Sequence, residues 1–318
     1  MPRATWVGLV LCNIMWAANP IMGKSLLSRF APHEVAWLRY FSAASFFWCL
    51  ALLSFLFLGR KRGQNWNQIP RPSNFFSIPK TRRDFLLILG MGVSAFCFAP
   101  LVAFFGLNKT AAVDNAILIA LEPLVTVGLA AVFLGERFDQ RRWVSLLVSI
   151  IGFAFLSGLA FQSPSQWGSQ PAILGNLILL VSLLGEGGYS IFARLLQGRH
   201  STLGAFGSGL TLGFVVLNLV VIGFSGLPDL TRLGIDGFLA LFWLGPLGST
   251  LTYLYWAFAL EKTDVSSAAL TLYVQPVVGA LLGVFLLSDA FTPSKALGAA
   301  LIFCAVGVLT LGEKKNSI

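Results

Sequence analysis

The chain has 318 residues, 56% of them hydrophobic and only 11% charged, whereas an ordinary soluble domain carries about 25% charged residues. A water-soluble fold of this length cannot hide that much apolar side chain, so that class is excluded. The formal net charge of +9 does not read as a nucleic-acid surface either, because the basic residues sit in short stretches between apolar runs and form no stripe.

A bilayer crossing takes about 20 mostly apolar residues. In chain order the apolar segments are 5–27, 34–58, 84–106, 113–134 and 143–161, then 172–196, 202–224, 237–260, 265–287 and 296–311. The first is too long for the core of a signal peptide and no small-residue cleavage site ends it, so it reads as a span. Backbone groups in lipid find no partner outside their own segment, and barrel-type alternation is missing, so the spans must be helices. The expected fold is an all-α integral membrane protein with ten transmembrane helices.

The one long connection, 59–83, is basic and rich in Pro, Asn and Ser. Its charges read first as a topological anchor, with attraction to anionic headgroups as the alternative. With the N-terminus in the cytoplasm, 16 of the 22 Lys and Arg fall in cytoplasmic ends and loops. Arg29, Lys109, Arg232 and Lys295 fall on the other side, and Lys24 and Arg39 lie inside spans. Basic residues are in excess in cytoplasmic loops, so both termini are placed in the cytoplasm, in a bacterial inner (plasma) membrane. Cys12, Cys49, Cys97 and Cys304 all lie in apolar runs without metal-ligand spacing. They read as free buried thiols, and no metal or cofactor is expected.

The sequence also repeats itself. Leu107-Asn108-Lys109-Thr110 through Glu122-Pro123 aligns without a gap on Leu260-Glu261-Lys262-Thr263 through Gln275-Pro276, at a constant offset of 153 that also carries 134–138 onto 287–291. The early spans match more weakly, Lys24 with Arg194 and Trp16 with Glu186, at an offset of 170. The long basic connection absorbs the difference. Two halves result, 1–161 and 172–311, with five spans in each. An odd number of spans turns one half upside down relative to the other, the inverted-repeat architecture of secondary transporters, with substrate near the midplane between the halves.

An ionisable side chain at membrane depth costs about 2.5 to 3.5 kcal/mol on insertion scales, so each one needs a reason. Glu122, in the fourth span, precedes Pro123, which frees a carbonyl one turn back. Carboxyl and carbonyl together can hold a proton or an amine; the alternative is an acid that only fixes packing. Glu186 stands mid-span in the sixth segment, with Ser182, Tyr189 and Ser190 on its face and Gly185, Gly187 and Gly188 beside it. Those glycines permit close helix approach or local unwinding, and protonation of Glu186 would serve as a coupling switch. Arg39 serves the site, pairs with one of the acids or snorkels to water; Lys24, nearer a span end, reads as snorkelling. Asn19 and Pro20 interrupt the first span. Trp16, Asn19, Tyr189, Tyr253 and Trp256 are the expected lining of a pocket for a mixed polar and apolar metabolite. Trp6, Trp66, Trp143 and Trp167 read as interface belt, and the pairs Gly209 with Gly213 and Gly279 with Gly283 as packing.

An ordered set of motifs runs along nearly the whole chain: Trp16-Ala17-Ala18-Asn19-Pro20 with Lys24, Pro32 followed by Trp37-Leu38-Arg39-Tyr40, and Leu121-Glu122-Pro123 followed by Phe133-Leu134-Gly135-Glu136-Arg137. Val274-Gln275-Pro276 with Leu287-Ser288-Asp289 repeats the last of them weakly. In this order they resemble the drug/metabolite transporter superfamily, in particular its EamA-type ten-helix permeases. The resemblance implies movement of a small metabolite across the membrane. Ser288-Asp289 departs from the family's usual Gly-Glu, and Glu186 stands where a Trp or a small residue is common.

Two other classes compete. For an enzyme, Gly223-Phe224-Ser225-Gly226 falls short of Gly-x-Ser-x-Gly, no HExxH is present, and the topology puts His33 and His200 at opposite faces. A non-transporting membrane scaffold or accessory protein would leave the buried acids without a purpose. No GxxxxGK[ST] loop is present, which excludes direct ATP coupling by this chain. The expectation is a secondary transporter, not an enzyme, that exports an amino acid or similar amphipathic compound by alternating access. Its expected partners are the small-molecule substrate, the lipid bilayer and protons, with no nucleic acid; a homodimer is compatible with the sequence.

Overall fold

The computed structural model describes residues 3–58, 75–134, 140–161, 170–262 and 270–313. Among the described residues every regular element is helical. α1 (Arg3–Ala17) and α2 (Asn19–Leu27) form one rod broken at Ala18. The break falls where Pro20 brings no amide to the helical ladder. α3 (Pro32–Leu53) begins on a proline, with Glu34 Oε2 accepting from the Ala31 amide at 2.7 Å, and continues into a π turn, Ser54–Leu58. α4 (Arg82–Val93), a π turn at Ser94–Phe98 and α5 (Ala99–Leu107) make a single rod. α6 (Ala112–Leu118) tightens into a 3-10 turn, Ile119–Leu121, ahead of α7 (Glu122–Leu134). α8 (Gln140–Ser157), α9 (Pro171–Leu196) and α10 (Thr202–Ser225) follow. α11 (Gly234–Phe242) and α12 (Thr252–Leu260) are joined by a π stretch, Trp243–Leu251. A 3-10 turn, Leu270–Tyr273, leads into α13 (Val274–Leu287), and α14 (Pro293–Glu313) ends the described chain.

Four of the irregular turns have a common cause; the π turn at Ser54–Leu58 has no proline and is not among them. Pro100, Pro123, Pro246 and Pro276 each lie inside or just after one of them, because a proline removes one rung of the ladder and its ring crowds the preceding turn. The 3-10 turns Ile119–Leu121 and Leu270–Tyr273 precede prolines that the 153-residue offset sets against each other, Pro123 and Pro276.

Among the described residues six helical runs are long and apolar enough to cross a membrane: Ala4–Leu27, Pro32–Leu56, Arg82–Leu107, Pro171–Leu196, Thr202–Ser225 and Gly234–Ala259. Ala112–Leu121, Trp143–Ser157, Val274–Leu287 and Pro293–Ala305 are shorter apolar helices. The surface is apolar where a soluble protein's is polar: Phe224, Ile235 and Phe285 are more than three-quarters exposed, whereas Asn13, Asn176 and Thr250 are buried. Water would penalise that arrangement, and lipid favours it.

Close helix pairs mostly join an element before residue 162 to one after residue 169: α8 with α14, α5 with α9, α4 with α10, α6 with α13, and α3 with the π stretch. Small residues make this possible. A Cβ on Gly213 would overlap the Gly92 carbonyl, and one on Gly92 would overlap the Gly209 carbonyl, so α4 and α10 touch backbone to backbone as small-residue seams do in membranes. Of the basic connection, 59–74 lies outside the described residues, as do Trp66, Trp167 and 135–139 with Glu136 and Arg137. The rest of it docks: Phe75 packs tilted against Phe47 with ring centroids 5.7 Å apart, and the Ser77 amide donates to Ser208 Oγ at 2.9 Å. Trp6 and Trp143 are exposed, as belt residues are. Cys12 and Cys97 are buried, but Cys49 and Cys304 are exposed on the bundle surface. The expectation of four buried thiols is therefore corrected, since an apolar span has an outward face as well as an inward one.

The α4–α10 seam makes a stability prediction. Gly213→Ala forces a methyl group into backbone, an overpacking that costs about 1–3 kcal/mol, and is expected to lower Tm in detergent by several degrees. Gly223→Ala, further along α10 with nothing within 4 Å of its Cβ, is expected to leave Tm unchanged or slightly raised; equal behaviour of the two variants would contradict the seam.

Candidate functional site

The π stretch at Trp243–Leu251 organises the centre of the bundle. Pro246 lies inside it, so the ladder widens and leaves carbonyls turned away from their usual partners. Ser249 answers one of them, its hydroxyl donating to the Leu244 carbonyl at 2.7 Å. The Gly248 carbonyl accepts from Trp16 Nε1 at 3.0 Å and from Asn19 Nδ2 at 3.5 Å. Trp243 Nε1 donates to the Met15 carbonyl at 3.2 Å, and Thr250 Oγ1 to the Ala43 carbonyl at 2.8 Å. One widened turn thus holds α1, α2 and α3 at once. Gly245 lets α3 come this close, because a Cβ there would lie 2.9 Å from the Arg39 carbonyl and overlap Ser42 Oγ.

Arg39 Nε donates to Ser249 Oγ at 2.8 Å, and the guanidinium carbon lies 5.2 Å from the Tyr40 ring centroid. Among the described residues it forms no ion pair with Glu122 or Glu186, although it lies within electrostatic reach of Glu186. Tyr253 donates its hydroxyl proton to Glu186 Oε2 at 2.7 Å. Around this bond the rings form a chain: Trp16 packs on Tyr253 at 5.2 Å and on Trp256 at 5.5 Å, and Tyr253 meets Tyr189 at 5.4 Å. Phe96, from the π turn between α4 and α5, closes the cluster against Tyr40, Tyr189 and Tyr253.

Glu122 opens α7 directly after its 3-10 turn, and its carboxylate and that of Glu186 are close enough to feel each other's charge. The helices carrying them meet at Gly187, where a Cβ would come 2.8 Å from Leu129 Cδ1. α9 stays helical across its glycines, so they serve close approach and no unwinding occurs. Of the eight residues singled out from sequence, Trp16, Tyr189, Tyr253, Trp256 and Glu186 form one contact chain. Asn19 and Arg39 are joined to it through the π stretch, and Glu122 through its charge. Asn19 Oδ1 is buried without a hydrogen-bond partner.

Sequence reasoning missed several polar groups. Asn13 donates to the Leu9 carbonyl at 2.7 Å and to Thr271 Oγ1 at 2.9 Å, and accepts from Gln275 Nε2 at 2.7 Å. The signal was present, because the 153-residue offset sets Gln275 against Glu122. Among the described residues Asp114 is the most buried acid of an ion pair, 3% exposed, with Lys295 Nζ 2.5 Å from its Oδ1. It lies one residue inside a span boundary, where an acid is easily taken for a loop residue. His33 Nε2 and Ser225 Oγ, set apart when the hydrolase pattern was weighed, are 2.8 Å apart. The pair is exposed and links the start of α3 to the end of α10. The described residues hold no group of three or more His, Cys, Asp and Glu that could bind a metal.

A half-open cavity of about 420 Å³ lies beside the Gln197–Ser201 turn, lined by exposed Gln197 and Glu261 and by buried Met91, Tyr189 and Phe206. Tyr189 belongs both to this cavity and to the aromatic chain that ends on Glu186.

The EamA-like transporter family matches residues 4–158 and again residues 173–311. The chain belongs to that family. It is a multi-pass membrane protein of the drug/metabolite transporter type. It is 28% identical over 315 residues to an S-adenosylmethionine uptake transporter of Rickettsia felis, covering 98% of this chain and 94% of the relative. An uncharacterized transporter of Archaeoglobus fulgidus is 24% identical over 309 residues, 96% of this chain and 98% of the relative. A "probable terminal-alkyne amino-acid exporter" of Streptantibioticus cattleyicolor is 25% identical over 245 residues, 74% and 77% of the two chains. The fold is that of a protein solved by crystallography, with a TM-score of 0.61 at 19% identity over 98% of each chain.

The hub generates a prediction at Ser249. Ser249→Ala strips Arg39 of its acceptor and the Leu244 carbonyl of its donor, at a cost of about 1–3 kcal/mol for each buried group left unpaired, while Ser249→Thr keeps the hydroxyl. Thermal unfolding in detergent is expected to show a clear drop for the alanine variant and near wild-type behaviour for the threonine variant. A stable alanine variant would contradict the hub.

Proposed function

We propose that this family member is a secondary transporter that exports an amino acid or similar amphipathic compound across the bacterial plasma membrane by alternating access. In this reading the shorter apolar helices cross the membrane too, giving ten spans in two inverted halves, 1–161 and 172–311, with both termini in the cytoplasm. The two separate stretches matched by the family and the 153-residue offset support the halves, and the basic cytoplasmic loops support the orientation.

The observation that carries the reading is the Tyr253–Glu186 hydrogen bond inside an aromatic cluster, within electrostatic reach of Glu122 and Arg39. Two acids sharing one site in a water-poor core are difficult to ionise together. One of them is therefore suited to take up a proton when substrate leaves and give it up when an amine or other polar group enters. Arg39 suits the carboxylate of a zwitterion, and the rings suit its apolar part. The export direction follows the printed name of the Streptantibioticus relative and an amphipathic substrate fits both named relatives; the uptake named for the Rickettsia relative is the competing direction.

The test starts from extracellular metabolite profiles of cells with and without overexpression, and proceeds to flux of the compound picked out, in proteoliposomes. Glu186→Gln is expected to cut flux at least about tenfold, a loss of about 1.4 kcal/mol or more, and to abolish its dependence on a pH gradient; Glu122→Gln is expected to weaken both. Intact rate and pH dependence in both variants would sink the coupling, and accumulation inside the overexpressing cells would sink export.

A further inference from the structure

One end of the bundle is laced shut by charge. Arg29, after α2, makes a two-pronged pair with Asp236 at the start of α11, at 2.5 and 2.9 Å, and also donates to the Leu233 carbonyl at 2.8 Å. Arg232 reaches Glu34 at the start of α3, at 3.0 Å, and the Arg29 carbonyl at 3.3 Å. Lys295 at the start of α14 pairs with Asp114 on α6 at 2.5 Å, and Asp289 accepts from the Val113 amide at 3.0 Å. Each of these contacts joins a residue before 162 to a residue after 169.

The opposite end is built otherwise. α4 and α5 form a rod of 26 residues, about 39 Å at 1.5 Å per residue. Asp84 at one end of it bonds Arg199 at 2.8 Å, while the far end leads through Thr110 to the Asp114 cluster. The cavity beside the Gln197–Ser201 turn, next to Arg199, has Tyr189 in its wall. The Gln197 end thus carries a cavity that reaches Tyr189, the ring next to Tyr253 in the Glu186 cluster, while the Arg29 end is crossed by ion pairs.

We infer that the pairs Arg29–Asp236, Arg232–Glu34 and Lys295–Asp114 are a gate, which must part for the Glu186 site to be reached from the Arg29 end. This rests on the transport reading, since a scaffold needs no second opening. The chemistry suits a gate better than permanent glue. The side chains of Arg29 and Asp236 are 36% and 68% exposed, so water can replace each partner as the pair separates. Asp114 is buried; its Oδ2 keeps Asn176 Nδ2 at 3.3 Å when Lys295 withdraws, whereas Oδ1, which faces Lys295, has no hydrogen bond of its own, so this pair is the costliest of the three to part. Lys24 on α2 lies within electrostatic reach of both Asp114 and Asp289 and supplies a second cation to the same cluster.

The test reads access, not transport, so its outcome stands even if no cargo is found. In a chain whose four native cysteines are alanine, Ser190→Cys reports from the helical turn after Glu186, and a separate Ser28→Cys chain marks the Arg29 face. A membrane-impermeant thiol reagent is applied to intact cells and to inverted vesicles. With the gate residues native, Ser190→Cys is expected to label slowly from the Ser28 face and faster from the other. Arg29→Asp is expected to raise labelling from the Ser28 face by at least about fivefold, the size of a modest conformational coupling. The exchanged pair Arg29→Asp with Asp236→Arg is expected to return it to the starting rate. Asp236→Asn, an isosteric change at an exposed side chain, gives the same reading should Arg29→Asp fail to fold, and Asp114→Asn with Lys295→Met repeats it at the buried pair. Labelling unchanged in folded single variants, or raised and not reversed by the exchange, would overturn the gate.

Discussion

The widened turn around Pro246 is the constraint on which the centre of this protein depends. A proline in a membrane helix removes an amide that the lipid cannot replace, and each unsatisfied backbone group there costs several kcal/mol. The chain meets that demand with side chains from three other segments: Trp16 and Asn19 on the Gly248 carbonyl, and Arg39 on Ser249, whose own hydroxyl caps Leu244. Satisfying the backbone and positioning polar side chains at the bundle centre are therefore the same act. Helices α1, α2 and α3 are tied to α11 and α12 through groups that can also face a polar ligand.

The second consequence is electrostatic. Glu186 is tolerated at membrane depth because Tyr253 donates to it and Arg39 lies within reach, and the rings of Trp16, Tyr189 and Phe96 exclude water around the bond. The ion pairs at the Arg29 end work under a different rule. Arg29–Asp236 and Arg232–Glu34 are partly solvated, and an exposed pair is worth about 0–1 kcal/mol; Lys295–Asp114 is the buried member. The centre is thus firmly connected while one mouth is held by contacts that water can take over, a division that allows one end to open without dissolving the site.

Much of this was legible in the sequence. The helix breaks at Asn19-Pro20 and before Pro123 were foreseeable because proline's missing amide acts locally, and the aromatic lining could be assembled because Trp16, Tyr189, Tyr253 and Trp256 stand out in apolar segments. The gathering of those residues around Glu186 was readable only as a guess from mid-span depth. What stayed hidden depends on contacts between distant segments. Nothing local marks Ser249 as the partner of Arg39, since the π stretch that turns it inward arises from Pro246 three residues earlier. Asp114 and Lys295 each look like an ordinary loop-edge charge until α6 and α14 are brought together, and the exposure of Cys49 and Cys304 follows from which helix face meets lipid. Segment boundaries shifted by a few residues, as at Pro32 and Pro293, because prolines at helix starts extend the helices beyond their apolar cores.

The central claim is that the Glu186 carboxyl exchanges a proton for substrate. It is tested most directly by measuring proton release, with a pH-indicating dye in weakly buffered detergent solution, when the exported compound binds to the purified protein. The account predicts release of a substantial fraction of a proton per molecule bound in the native chain, and its disappearance in Glu186→Gln while binding remains detectable. Binding without proton release in the native chain, or release that Glu186→Gln leaves unchanged, would contradict it.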